Sequence, residues 1–443
     1  MKSPFKRLST LCSLLLTYLL FITCFAHATT NIYFWHSMGG ALNNTVQHLT
    51  REFNHSQNKY HIIPVYKGNY AETLTSTVAA FRSGQQPTIV QIFEVGTATM
   101  INPPGVIVPT YKLMQNAHLK LDANTFIPAV HSYYSDNKGR LLAMPFNSSA
   151  AVLFYNKTAF QKAGLDPNTP PKTWPELVTD SKQLLKAGYN CGFSSAWPSW
   201  IQIETFSSWQ NLPIATENNG FAGANARLIF NNSTVIHQLS SLVNWQHHNI
   251  FHYGGREDNA LALFTSGQCQ MLMESSGSRS GLKQNVNFKL GTAELPYWPQ
   301  AKGAPQNAII GGAALWVLTG KTTAQYAGAA AFFKFLSLPS VQAYWQQQTG
   351  YIPVTKAAYQ LSKRQGFYRK NPGALIAIRE LSNKAPKSYT KGLRLGNYSR
   401  IRDINCEEIE AAITGSKTPQ QAIDDAVRRD NQLLRQFQKD TQP

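Results

Sequence analysis

Charge is scarce in this chain. Of its 443 residues only 14% are Asp, Glu, Lys or Arg, against roughly 25% in average globular proteins. Acid is the scarcer sign: 23 Asp and Glu face 41 Lys and Arg, for a formal charge of +18. Cysteine is rare, with five in all, which excludes a disulfide-dense mini-scaffold. Their spacings match no zinc motif. The 29 glycines follow no period, so a collagen-like chain is excluded. No internal repeat and no low-complexity linker occurs. Beyond residue 28 no stretch reaches 18 uninterrupted apolar residues, the length at which a membrane-spanning helix becomes a candidate. What is present is 43% hydrophobic and 12% aromatic, and disordered chains are poor in both. The length suits two or three domain-sized units. The basic excess leaves three classes of partner: nucleic acid, an anionic surface or an anionic small ligand.

The first 28 residues read as a secretory signal peptide. Lys2, Lys6 and Arg7 precede an apolar run over 11–25, and Ala26-His27-Ala28 supplies an A-x-A cleavage site. The run is shorter than the roughly 20 residues that span a bilayer. The expected product is an exported, periplasmic chain of 415 residues, cleaved after Ala28, with its charge reduced to +15. Export permits a disulfide among Cys191, Cys269 and Cys406. The residues leave open which pair forms, and one cysteine is left over.

The mature chain opens as β-α-β-α-β. Strand candidates at Asn31–Trp35, Tyr60–Tyr66 and Pro87–Phe93 alternate with helical spacings at Leu42, Val46, Leu49, Phe53 and at Leu74, Val78, Phe81. Alternation of this kind predicts a parallel sheet in an α/β domain. A second α/β region follows. Leu141–Ala143 and Ala150–Tyr155 are strand-like, and Thr173 with Glu176 forms a capping box that opens a helix. Asn307–Leu318 is an apolar strand region interrupted by Gly311-Gly312, and Ala324–Leu336 and Thr418–Phe437 read as helices. Two lobes without a flexible linker predict short crossing strands and a cleft between them.

Catalytic patterns are missing. No GxGxxG follows a strand, no HExxH occurs, and Thr319-Gly320-Lys321-Thr322 lacks the upstream glycine of a P-loop. Ser280-Gly281-Leu282-Lys283 and Ser135-Asp136-Asn137 match two short motifs of penicillin-recognising enzymes, in reversed order and without the third. The expectation is no catalytic residue, no metal and no cofactor. Several segments instead end strands with hydroxyls, glycines and tryptophans: 35–40, 66–70, 93–97, 147–149, 194–200 and 275–278. The carboxyl ends of strands are where open α/β sheets place ligands. Hydroxyls, free backbone amides and paired tryptophans suit a phosphate or a polyol.

Seven segments carry a family resemblance: FWHSMGG at 34–40, YKGNY at 66–70, FEVGTATM at 93–100, PFNSS at 145–149, APQNAIIGGA at 304–313, QTGYIPVTKAAY at 348–359 and TKGLRLGN at 390–397. Together they resemble the glycerol-3-phosphate-binding components of ABC importers, within the extracellular solute-binding proteins that are similar to maltose-binding proteins. The resemblance runs from about residue 30 to 438. It implies an α/β fold of two lobes joined by crossing strands, the first over 29–143 plus 310–350 and the second over 144–309 plus 351–443. It also implies a small phosphorylated polyol as ligand and a membrane permease as partner; nucleic acid is not expected as a partner, because the basic residues are dispersed, most densely at 391–402 and 428–439, and the chain is expected to be exported. Carried over position by position, Tyr70 and Glu94 fall near the glycerol hydroxyls, and Trp197 and Trp200 wall the glycerol. Ser149, Ser275, Gly312, Tyr351 and Arg402 fall largely around the phosphate. The chemistry agrees with the residue types: a carboxylate accepts from hydroxyls, and an arginine offers phosphate a planar donor fork. The rivals are a sugar-binding protein of the same fold and a secreted glycerophosphodiesterase. The latter reaction normally recruits a metal and carboxylates.

Overall fold

The computed structural model describes residues 29–441. The signal peptide expected over 1–28 and its cleavage site lie outside the described residues.

Two sheets organise the chain. In the first, β1 (Thr30–His36), β2 (Tyr60–Tyr66) and β3 (Ile89–Phe93) run parallel. Parallel neighbours need a crossover between them. It is supplied by α1 (Gly40–His55), which buries Val46, Leu49 and Phe53, and by α2 (Tyr70–Arg82). The long strand β11 (Gly311–Leu318) returns antiparallel to β3, beside the short β4 (Ile107–Val108), and also pairs with β5 (Met144–Ser149). The second sheet has the order β10-β6-β9-β7-β8. Its members are β6 (Ala151–Asn156), β7 (Cys191–Ser195), β8 (Phe251–Tyr253), β9 (Cys269–Ser275) and β10 (Leu290–Ala293). The capping box closes as expected at the start of α3 (Trp174–Lys186): the Glu176 amide donates to Thr173 Oγ1, and Glu176 Oε2 accepts from the Thr173 amide. Cys191 and Cys269 form a disulfide between β7 and β9, and Cys406 is the buried free thiol. Besides that pair, His252 is the one further candidate ligand beside the sulfurs among the described residues.

Three segments differ from the sequence reading. Leu141–Ala143 is not a strand. Leu141 and Ala143 are buried and Leu142 partly so, but Leu141 makes only an isolated bridge with Ser135, and the carbonyls of Leu141 and Leu142 accept from the Tyr111 and Thr110 amides instead of joining a ladder. The strand begins at Met144 and pairs with β11, so Met144–Ser149 belongs to the first sheet, although the boundary at 143/144 assigned it to the second lobe. The chain passes from one sheet to the other at Ala150, between β5 and β6. Asn307–Ile310 also stays outside the sheet. There the Ala308 amide donates to the Glu380 carbonyl, and the Asn307 side chain bonds the Lys384 backbone.

The crossing points are thus Ala150, the stretch before Gly311 and the stretch after α6 (Pro339–Thr349); α4 (Arg279–Asn285) lies between the first two and α5 (Thr323–Leu336) between the last two. Past Tyr351, α7 (Lys356–Arg364) still packs on α6, so the last passage lies beyond the expected 350/351 boundary. The second lobe closes with α8 (Tyr398–Ile413) against α9 (Pro419–Thr441), which buries Ile423, Ala426, Val427, Leu434 and Phe437 as the helical spacing predicted.

Candidate functional site

A cleft of about 930 Å³ lies between the two sheets, at the carboxyl ends of β1, β3 and β9. Tyr70, Glu94, Ser149, Trp197, Trp200, Ser275, Gly312, Tyr351 and Arg402 all line it. The structure therefore brings together all nine residues named from the sequence.

Local backbone geometry aims each of them. Gly68 has φ +86°, and a Cβ there would sit 1.9 Å from Glu72 Oε2. Only glycine takes that turn without a clash. Asn69 and Glu72 then form a capping box, with amide-to-carboxamide and amide-to-carboxylate bonds of 2.9 and 2.8 Å, and Tyr70 is the first residue of α2. Its ring stacks on Phe93 at 5.3 Å between centroids. Its hydroxyl accepts from Asn147 Nδ2 at 2.8 Å and lies 3.4 Å from the Tyr351 hydroxyl. Asn147 is itself fixed by Gln91 Nε2 at 2.7 Å, and Gln91 Oε1 accepts from the Ser37 amide at 2.8 Å. Sequence reasoning did not single out Asn147 and Gln91 as a pair. Their signal was an amide inside each of two buried strands, because buried polar groups need partners. Burial pushes the Tyr70 and Tyr351 phenols above the ordinary range, so both remain neutral.

The glycine pair that interrupts β11 has two separate causes. Gly312 has φ +93°, and a Cβ would fall 1.8 Å from the Asn147 carbonyl. Gly311 has ordinary dihedrals, but a Cβ would meet Trp200 Cζ2 at 2.5 Å. Trp200 packs against bare backbone, and its Nε1 is buried without a partner among the described residues. It opens a π-helical turn over Trp200–Thr205, a rare form that recurs at functional sites. Trp197 is left-handed at φ +46°; its Nε1 donates to Glu274 Oε1 at 3.1 Å and its amide to the Glu257 carbonyl at 2.6 Å. Gly277 leaves room for Tyr351, since a Cβ would lie 2.7 Å from Cε1.

The surroundings of Arg402 correct the expectation of a free donor fork. Its Nε and Nη2 bind both oxygens of Glu204, at 2.8 and 2.7 Å, and Nη2 also meets Glu94 Oε1 at 2.7 Å. Glu204 accepts further from Ser199 Oγ at 3.0 Å. A buried guanidinium needs compensation, and here two carboxylates provide it, leaving the triad at a formal charge of −1. The edge used by Glu204 is not available to a ligand. Glu94 stands on the first lobe, and Arg402 and Glu204 on the second, so the triad bridges them. Burial raises the Glu94 carboxyl, and Arg402 opposes that rise. A second acid, Glu274, was not foreseen. It lines the cleft from β9, burial pushes it up to about 8, and its Oε2 has no partner among the described residues.

Two α/β lobes, crossing strands, and polar and aromatic side chains turned from both lobes into one cleft define a two-lobed solute-binding protein. A family model described as bacterial extracellular solute-binding protein matches residues 48–374. The sn-glycerol-3-phosphate-binding periplasmic protein UgpB of Yersinia pseudotuberculosis is 50% identical over 415 residues, covering 94% of each chain. Among solved structures, UgpB from Mycobacterium tuberculosis in complex with glycerophosphocholine superimposes with a TM-score of 0.77 at 22% identity, over 92% of this chain and 99% of that one. The cyclic alpha-maltosyl-1,6-maltose binding protein from Arthrobacter globiformis gives 0.73 at 20% identity, over 92% and 99%. The chain belongs to the family of sn-glycerol-3-phosphate-binding periplasmic proteins, within the bacterial extracellular solute-binding proteins. The relatives are named as binding proteins, not as enzymes.

Proposed function

We propose that this protein captures glycerol 3-phosphate or a glycerophosphodiester between its lobes and hands it to the membrane permease of an ABC importer, with no covalent step. The carrying observation is the donor set of one cleft. Ser149, Ser275, Gly312, Tyr351 and Trp200 line it together with the Glu94–Arg402 pair. Neutral donors hold a phosphate without a second buried charge, and Arg402 adds its field although Glu204 occupies one edge. Tyr70 and Glu94 take the polyol hydroxyls, and Trp197 and Trp200 cover its C–H side. A cleft of about 930 Å³ stands at the upper end of the roughly 300–1,000 Å³ of pockets for drug-sized ligands. It therefore has room for the alcohol part of a diester as well as for the monoester.

Capture shifts an open–closed equilibrium, because only a closed form touches the ligand from both sides. The protein works in the periplasm after cleavage behind Ala28; intact mass of the exported protein checks that site. Calorimetry with glycerol 3-phosphate, glycerophosphocholine and maltose tests the ligand class. Saturable binding of either phosphate compound and none of maltose is expected. Binding of maltose alone would return the protein to the sugar-binding branch of the fold. Release of choline from glycerophosphocholine would make it an enzyme.

A further inference from the structure

The cleft uses one arginine, yet the chain carries a large positive excess. Part of that excess converges at a second cavity, of about 530 Å³, on the outer side of α4. Lys157, Arg279, Lys283, Lys289, Lys370 and Arg379 line it, and no carboxylate does. Among the described residues none of the six forms an ion pair. Like charges gathered in one concavity repel, and an anion at their centre removes that cost.

Arg279 is the part that looks built. It is partly buried, its Nε is buried with no partner among the described residues, and Nη2 reaches only Asn371 Oδ1 at a long 3.4 Å. Lys283 Nζ points at the same oxygen from 3.3 Å. A neutral carboxamide is thus the shared acceptor of two cations. The 3.4 Å contact a Cβ at Gly373 would make with Arg279 Nε shows how closely backbone approaches that nitrogen. Arg279 and Lys283 stand four residues apart on one face of α4, while Ser280 and Gln284 line the ligand cleft from the other side of the same helix.

We propose that this cavity is a second anion site, separate from the ligand cleft, that takes a phosphate group. Arg279 and Lys283 hold the phosphate oxygens, and the other four cations set the field. Phosphate of this kind comes free in solution or as the headgroup of an anionic lipid. The proposal does not depend on the identity of the transported solute.

The test uses the mature protein at about 0.15 M ionic strength, where diffuse attraction is screened beyond about 8 Å. Inorganic pyrophosphate is titrated in by calorimetry, and the protein is sedimented with vesicles of phosphatidylglycerol and, separately, of phosphatidylcholine. The double variant Lys283→Glu/Lys289→Glu changes two exposed side chains and keeps the fold; Arg279→Gln removes the partly buried fork. Tyr70→Phe perturbs the ligand cleft alone. Both cavity variants are expected to weaken binding by about tenfold or more, the scale of one charge-assisted hydrogen bond, with Tyr70→Phe unchanged. Loss in the pyrophosphate arm identifies free phosphate as the source, and loss only with phosphatidylglycerol vesicles identifies the headgroup. Absence of binding in both arms overturns the site, and so does any pattern in which Tyr70→Phe weakens binding as much as the cavity variants do.

Discussion

Arg402 has one charge to share between two buried carboxylates, Glu94 and Glu204. Its replacement by alanine leaves both acids uncompensated, which for a broken buried pair costs about 3–5 kcal/mol. Arg402→Ala is therefore expected to lower the melting temperature as well as to abolish phosphate-ligand binding. Calorimetry alone would misread the first effect as the second, so both must be measured; an unchanged melting point would deny the triad its structural part. Glu274 carries the opposite problem, a buried acid with no cation beside it. Its carboxyl, raised from 4.5 to about 8, contributes stability that is fully present below the unfolded value and is lost as pH rises through about 8. Burial likewise raises Asp430 on α9 from 3.8 to about 8, so stability should fall from about pH 4 to about pH 9. The protonated Glu274 faces the cleft as a neutral group, and its ionisation adds negative charge beside a bound phosphate. Affinity should accordingly weaken between about pH 7 and pH 9, and Glu274→Gln should flatten that slope. Equal slopes for variant and parent would place the titrating group elsewhere. Of these three acids only Glu94 was reached from sequence, because it ended a strand in a recognisable motif, whereas Glu204 and Glu274 sit inside largely buried segments with no such signal.

At the scale of the element, the start of α2 shows how little chain is needed to fix a site. Gly68 makes the turn, Asn69 and Glu72 satisfy each other's backbone amides, and Tyr70 follows with its ring set on Phe93. Asn69→Ala removes one side of the box and should cost about 1 kcal/mol, read by denaturant unfolding. It should also weaken ligand binding, although Asn69 offers its side chain to α2. Binding that stays at parental strength would mean that the Phe93 stack alone holds Tyr70. Elements with a local signal were legible in advance: the parallel strands and helices of the first lobe, the box at Thr173, and the apolar face of α9. Leu141–Ala143 and Asn307–Ile310 were not. Apolar composition reports burial, and burial in a strand cannot be told from burial in a turn whose backbone bonds to other partners.

For the whole molecule, the triad is a contact between lobes made before any ligand is considered. Glu94 reaches across from the end of β3 to Arg402 on α8. If capture closes the cleft around a phosphate, the radius of gyration in solution scattering should fall on addition of glycerol 3-phosphate. It should fall less in Glu94→Gln, where the bridge has lost its charge. A radius that does not change with saturating ligand would require a cleft already closed. The positive excess is a property of the same scale. It does not lie in the cleft, where acids outnumber arginine, and six cations without ion pairs among the described residues line the cavity beside α4.

The sequence by itself determined the class of the protein: the alternating lobes, the lack of catalytic patterns, and the nine residues that line the cleft. The lobes were legible because they rest on local periodicity; the nine residues were reached through the resemblance to a known family, carried over position by position. Only the tertiary structure decided how those residues are charged and partnered. Cys191 meets Cys269 across 78 positions of sequence, Arg402 meets Glu204 across 198, and Asn147 meets Tyr70 across 77. Such pairs are chosen by which strands and helices lie side by side. The electrostatics of a buried site depends on its neighbours in space, and a chain read in order does not give those neighbours.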